Sequence, residues 1–162
     1  MNKASGNTPR ELNGLEDLAP QGKARQSSNY NSEMKASNAI RGSFHSQKGF
    51  GGSGTYSHTS ANDNAPFWEV ALKKDSNVSE VHIYGRPGYA RRLKNLKVVL
   101  LDSDRSILLE KAWENESQWG AFSMKLLNNL ADVKIVRLEK TKLGNSDETT
   151  LNINVVQVFG RV

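Results

Sequence analysis

The chain has 162 residues, of which 36% are hydrophobic and 24% charged, and it contains no cysteine. That length suits a single packed core, no apolar run is long enough to span a bilayer as a helix, and without cysteine there is no disulfide, thiolate nucleophile or thiolate metal ligand. Lys and Arg exceed Asp and Glu by 22 to 17, a net charge of +5; this suits a polyanionic partner, but equally a merely soluble basic protein.

Residues 1–17 mix Gly, Asn, Pro and Glu without a sustained period and read as a polar linker or flexible N-terminal segment, which sets the domain at 18–162. The first residues also lack the apolar stretch of a secretory leader. The stretch 27–59 is rich in Gly, Ser, Asn and Lys with little alternation. It is longer than a connection needs, and ordered loops of that length are usually functional.

From Phe67 the pattern changes to period two, the mark of strands with one buried face. Residues 67–72 place Trp68, Val70 and Leu72 on one side. Val81 and Ile83, then 96–101, 107–112, 121–126 and 133–138, repeat the theme. In 151–159 the phase slips at Val156, which predicts a bulge near Val155 or Val156. Connectors such as Asp102-Ser103-Asp104 and Gly144-Asn145-Ser146-Asp147 are turn formers. The fold class is therefore all-β, a sandwich of two antiparallel sheets.

Chemistry-bearing motifs are sparse. The three histidines, His45, His58 and His82, are dispersed, so a zinc site is not expected. His82, opposite in phase to Val81 and Ile83, reads as structural, and Trp68, Trp113 and Trp119 as packing residues. The acidic pair Asp102 and Asp104, the run Asn62-Asp63-Asn64 and residues 145–148 read as turns, not catalytic carboxylates. Gly49 to Gly54 neither follows a strand nor opens a helix, so it is not a phosphate cradle. An enzyme is not expected.

Four stretches in order carry a family resemblance: 18–28 (LAPQGKARQSS), Ser57-His58-Thr59, Phe67-Trp68-Glu69-Val70-Ala71-Leu72 and Val156-Gln157-Val158-Phe159-Gly160. Together they resemble the F-type lectin (fucolectin) branch of the discoidin-type, galactose-binding-like domains, over nearly the whole chain. The resemblance implies a discoidin-like jelly roll and a carbohydrate-binding module whose sugar site uses one histidine and two arginines. His58, Arg86 and Arg92 fill those positions, with Pro87 and Gly88 turning the chain between the arginines. Two guanidinium forks and an imidazole are sensible partners for neighbouring sugar hydroxyls. Tyr89 is expected to offer its ring to the apolar face of the sugar, and Arg91 to be solvated.

The same resemblance implies a structural calcium site, which this chain alters. The calcium turn reads Asn38-Ala39-Ile40-Arg41-Gly42-Ser43, with Arg41 at the carboxylate position, and the second carboxylate position falls on Val155. Calcium requires several oxygen ligands, carboxylates among them, so no cofactor or metal is expected there, and the Arg41 head is expected to donate to the carbonyls an ion would have gathered.

The expected function is non-catalytic binding of fucose or a fucose-containing glycan. The alternatives are an anionic polysaccharide such as a sulfated fucan, or a protein- or membrane-interaction module with Phe44 and Phe50 at its loop tips. The expected partner is thus a glycan and not nucleic acid. The expected setting is extracellular, in a secreted bacterial protein, where the module is appended to a larger enzyme or surface protein.

Overall fold

The computed structural model describes residues 14–42, 55–113 and 120–162. His45, Phe44, Phe50, Ser43, Trp119 and the run Gly49 to Gly54 lie outside them. The described residues form eight strands: β1 (Glu16–Asp17), β2 (Lys23–Gln26), β3 (Ser57–His58), β4 (Phe67–Gly85), β5 (Leu96–Leu101), β6 (Ile107–Ala112), β7 (Ala121–Lys140) and β8 (Asn152–Arg161). All pairings are antiparallel, in the order β1-β8-β4-β7-β5-β6, with β2 also on β4 and β3 also on β8.

Two of these strands are long enough to serve both layers of a sandwich. The first part of β4 pairs with β2 and with the end of β7 (Phe67↔Glu139 through Ala71↔Ile135). Its last part pairs with β8 and with the start of β7 (Glu80↔Lys125 through Tyr84↔Ala121). Register shifts between Ala71 and Glu80 mark the corner. Sequence periodicity reads four strands here because the polar run Lys73-Lys74-Asp75-Ser76 carries no alternation; it lies within β4 as a bulge in which Ser76 alone has a register partner, Val133. Side chains alternate along each strand, so Trp68, Val70, Val98, Leu100, Val136 and Leu138 of one layer meet Val81, Ile83, Phe122, Met124, Val156 and Val158 of the other in one core. Trp68 is fully buried and donates its indole N–H to the Ala36 carbonyl at 3.0 Å.

The domain extends slightly further toward the N-terminus than the linker reading allows, since Glu16 and Asp17 pair with Gly160 and Phe159. The buried Asp17 carboxylate accepts from the backbone N–H groups of Ala19 and Val158 at 3.1 and 3.0 Å. The irregularity of β8 falls at Asn154, between the pairs Tyr84↔Val155 and Gly85↔Ile153, one residue before the expected bulge. Asp102 behaves as a turn residue, its Oδ1 accepting from the N–H groups of Asp104 and Ser106. His82 is held by Glu80 and Ser123 and packs edge-on to Phe159 on the outside of its layer.

A single buried carboxylate ties the other layer's outer face. Glu69 is 3% exposed and accepts from Arg25, Arg105 and Arg137 at 2.6–3.2 Å. Burial pushes its pKa up, but the hydrogen bonds from Arg105, Arg25 and Arg137 outweigh this and hold it down at about 2. Glu69 therefore contributes stability that is complete above the ordinary pKa near 4.5 and is lost as pH falls toward 2. Glu69→Gln should cost about 3–5 kcal/mol at pH 7, as expected for one partner removed from a buried ion cluster. In urea denaturation that cost should shrink steadily between pH 4.5 and pH 3.

Candidate functional site

His58 is placed by β3, whose two residues pair with β8 so that His58 stands beside Asn152 and Ser57 beside Ile153. Both His58 and Asn152 are buried. The His58 Nδ1 lies 2.6 Å from the carbonyl oxygen of Thr59, which can only accept, so Nδ1 carries the proton and Nε2 presents a lone pair. Burial, offset in part by the Thr59 hydrogen bond and reinforced by the charges of Arg92 and Arg86, pulls the imidazole down to about 4. The ring is thus neutral at physiological pH, a hydrogen-bond acceptor facing a pocket.

The arginines come from the connection after β4. Arg86, Pro87, Gly88 and Tyr89 form a tight turn closed by the Tyr89 N–H on the Arg86 carbonyl at 3.0 Å, with Pro87 at the second position and Gly88 at φ +84° at the third. Those angles are what a type II turn demands of its residues. A 3₁₀ turn, Ala90–Leu93, follows and is anchored by the fully buried Leu93. It delivers Arg92 alongside His58: Arg92 NH1 lies 3.4 Å from His58 Nε2 and donates to Asn152 Oδ1 at 2.9 Å, while Asn152 Nδ2 donates to the Ser57 carbonyl at 2.8 Å.

His58, Arg86 and Arg92 thus line one open pocket of about 310 Å³, together with Tyr30, Met34, Ala61, Ser146, Asp147 and Thr150. Small-molecule sites run from roughly 300 Å³ upward, so the volume suits one or two sugar-sized rings.

Tyr89 is not part of that lining. Its ring is covered by cations, with Arg86, Arg92 and Arg91 at 4.8, 4.0 and 5.7 Å from its centroid, so it orders the guanidinium groups instead of facing the pocket. Arg86 also sits 5.0 Å from the buried ring of Tyr56. Arg91, expected to be solvated, pairs through Nε and NH2 with Asp147 and so ties the Ala90–Leu93 turn to the Ser146–Thr149 turn.

Three contributors escape the sequence reading. Tyr30, 59% exposed, tilts over His58 at a centroid distance of 4.7 Å and is the open aromatic face of the pocket; the signal for it was an aromatic residue in the long polar loop. Asp147 belongs to a 3₁₀ turn with a capping box between Asn145 and Glu148, as turn chemistry predicts, but its carboxylate also reaches the pocket 3.8 Å from Arg92. Arg91 holds it well below the usual carboxylate range. Asn152 is visible only once β3 and β8 are paired.

At the altered calcium turn, Arg41 NH2 donates to Asn38 Oδ1 at 3.0 Å, and the Asn38 amide donates to the carbonyls of Glu33 and Tyr56 at 2.7 and 3.0 Å. The carbonyls are thus gathered by Asn38, with Arg41 bracing it, and not by Arg41 itself. Val155 is 1% exposed. At the two positions where the resemblance implies carboxylates, a guanidinium and an isopropyl group stand, neither of which offers an oxygen donor of the kind calcium takes. No group of three or more His, Asp or Glu capable of holding a metal occurs among the described residues. Nor is any helix among them long and apolar enough to cross a membrane.

No protein-family model and no curated protein matches the chain. Solved structures do. A Streptococcus pneumoniae fucose binding module is 26% identical, with a TM-score of 0.77 over 94% of this chain and 100% of that one. The lectin domain of lectinolysin, complexed with Lewis B antigen, is 27% identical, with a TM-score of 0.75 over 91% of this chain and 98% of that one. The F-lectin (fucolectin) of striped bass, Morone saxatilis, serum is 21% identical, with a TM-score of 0.72 over 90% of this chain and 49% of that one.

The tautomer of His58 can be read directly. In nitrogen-15 NMR, His58 should show a protonated Nδ1 and an unprotonated Nε2 from pH 8 down to about pH 5, titrating only near 4. Because its folded value lies below its ordinary 6.5, stability attributable to His58 should fall as pH drops from 6.5 to about 4 and then level off.

Proposed function

We propose that this chain, a discoidin-type carbohydrate-binding module matching the F-type lectins, binds a glycan without catalysing its breakdown, and that the residue it grips is fucose or a fucose-like sugar. The single observation that carries this reading is the convergence of a neutral His58 with Arg86 and Arg92 on one pocket. A sugar hydroxyl donates to His58 Nε2, and neighbouring sugar oxygens accept from the two guanidinium groups, which are the stronger, charge-assisted bonds. The Tyr30 ring lies open beside them and offers an apolar face to the C–H groups or methyl of a deoxy sugar. Likeness to a fucose binding module and to a lectin domain complexed with Lewis B antigen supports the same choice.

Asp147 favours a neutral sugar over a sulfated one in this pocket. Its carboxylate beside Arg92 would repel a sulfate, whereas it can accept a further hydroxyl. The Arg41–Asn38 arrangement supports binding that does not depend on calcium. The same reading sets the module to work on extracellular glycans, carried by a larger enzyme or surface protein.

Calorimetry with fucose and a fucosylated oligosaccharide tests the reading. His58→Ala and Arg92→Ala should each weaken binding by about 100-fold or more, since each strands buried polar partners. Asn152→Ala, which releases Arg92, should cost about tenfold, as should Tyr30→Ala. Chelator should leave both affinity and melting temperature unchanged. A wild-type protein with no affinity for any fucosylated ligand would refute the sugar assignment.

A further inference from the structure

The outer face of the β2-β4-β7-β5-β6 layer carries a second set of cations, none of which lines the His58 pocket. Arg25, Glu69, Arg137, Val99 and Glu110 are successive cross-strand neighbours in one row. Arg105 reaches the same row from the turn between β5 and β6, where its φ is +64°. Glu69 needs one cation to be neutralised and has three. In the next row Phe67, Glu139 and Lys97 are neighbours, and Lys97 lies within 3.5 Å of both Glu110 and Glu139.

The face runs without a break into a pocket of about 300 Å³. Arg137 belongs to both, and Lys140, Lys142, Glu139, Asn64 and Thr141 are among the other pocket residues. Across face and pocket, the five cations Arg25, Arg105, Arg137, Lys97 and Lys142 meet three carboxylates, Glu69, Glu110 and Glu139, so two positive charges remain; the Lys140 ammonium is desolvated by burial and donates to the Lys94 carbonyl at 2.8 Å. Arg25 is 62% exposed at its side chain and engages Glu69 through Nε, leaving its terminal nitrogens without another partner among the described residues. Lys142 is exposed. The arginines are also held in place before any ligand arrives, Arg25 and Arg137 against Phe67 at 5.2 and 3.9 Å and all three on Glu69, so little side-chain entropy is left to lose.

We infer that this face and its pocket form a second site, distinct from the His58 pocket, that binds an acidic polysaccharide bearing sulfate or uronate groups. Guanidinium forks pair bidentately with such anions, and the pocket accommodates one sugar unit beside the amide of Asn64 and the hydroxyl of Thr141. A nucleic acid fits less well, since single strands are held by open aromatic rings and Phe67 is flanked by two guanidinium groups. The choice of a glycan, though not the charge of the site, rests on the function proposed above.

Heparin is the probe, measured by calorimetry and salt elution on the whole chain, with circular dichroism as the check of folding. Arg25→Glu with Lys142→Glu should weaken heparin binding by about tenfold or more and lower the eluting salt, while His58→Ala should leave it unchanged. The milder pair Arg25→Gln with Lys142→Gln should lie between. Heparin binding that is lost in His58→Ala, or that survives the double reversal, overturns the proposal. Single-stranded DNA of matched charge binding as tightly as heparin overturns the glycan assignment. Failure of fucose binding with heparin still held at this face would sink the proposed function alone.

Discussion

One antiparallel ladder, β4 against β7, runs through both layers of the sandwich, and the rest of the structure hangs on its continuity. A backbone whose N–H and C=O groups must all be paired when buried cannot simply stop at the corner between two sheets. Here it carries the ladder round the corner through bulges between Ala71 and Glu80. Because the strand doubles back, its two ends return to the same set of loops. The start, at Phe67, abuts the cationic pocket, and the end, at Gly85, launches the arginine turn. Thr149, donating to the Ala61 carbonyl at 3.2 Å, joins the two loops that feed both pockets.

The arginines of this chain illustrate how burial decides what a charge does. Arg92, 16% exposed at its side chain, is locked by Asn152 and covered by Tyr89, so it acts as a fixed donor at a site whose imidazole has been made neutral. Arg91, one residue earlier, is spent on a loop-to-loop tie with Asp147. Arg41 braces an asparagine that holds two carbonyls. Arg25 and Arg105 keep their heads in water while sharing one buried carboxylate. Net charge alone says nothing of this division of labour.

Much of the fold was legible because alternating apolar residues mark 67–72, 96–101 and 133–138, and the strands there match, although 96–101 buries Val99 and Leu101 on its second face as well. The corners were not legible, since Lys73-Lys74-Asp75-Ser76 and Leu127-Asn128-Asn129-Leu130 are bulged stretches without alternation, in which only Ser76 and Leu130 have a register partner. Of the residues lining the candidate pocket, His58, Arg86 and Arg92 could be singled out from their motif contexts. Asn152 could not, since its role exists only through its register with His58. Tyr89 was correctly placed between the arginines, but which way a ring faces depends on what else packs there, and two guanidinium groups claimed it.

The strand β8 also sets how the module can be carried. Its first residue, Asn152, is at the His58 pocket, and its last, Arg161, lies beside Asn77 at the opposite pole, where Glu16 pairs with Gly160. Nine steps of an extended chain span about 30 Å. Glu16 and Arg161 are therefore adjacent points at the end of the sandwich away from the loops that line the His58 pocket. A tether attached there would present the pocket outward, like a hand at the end of an arm, and the module could be strung in tandem or spliced into another protein's loop without its grip being covered.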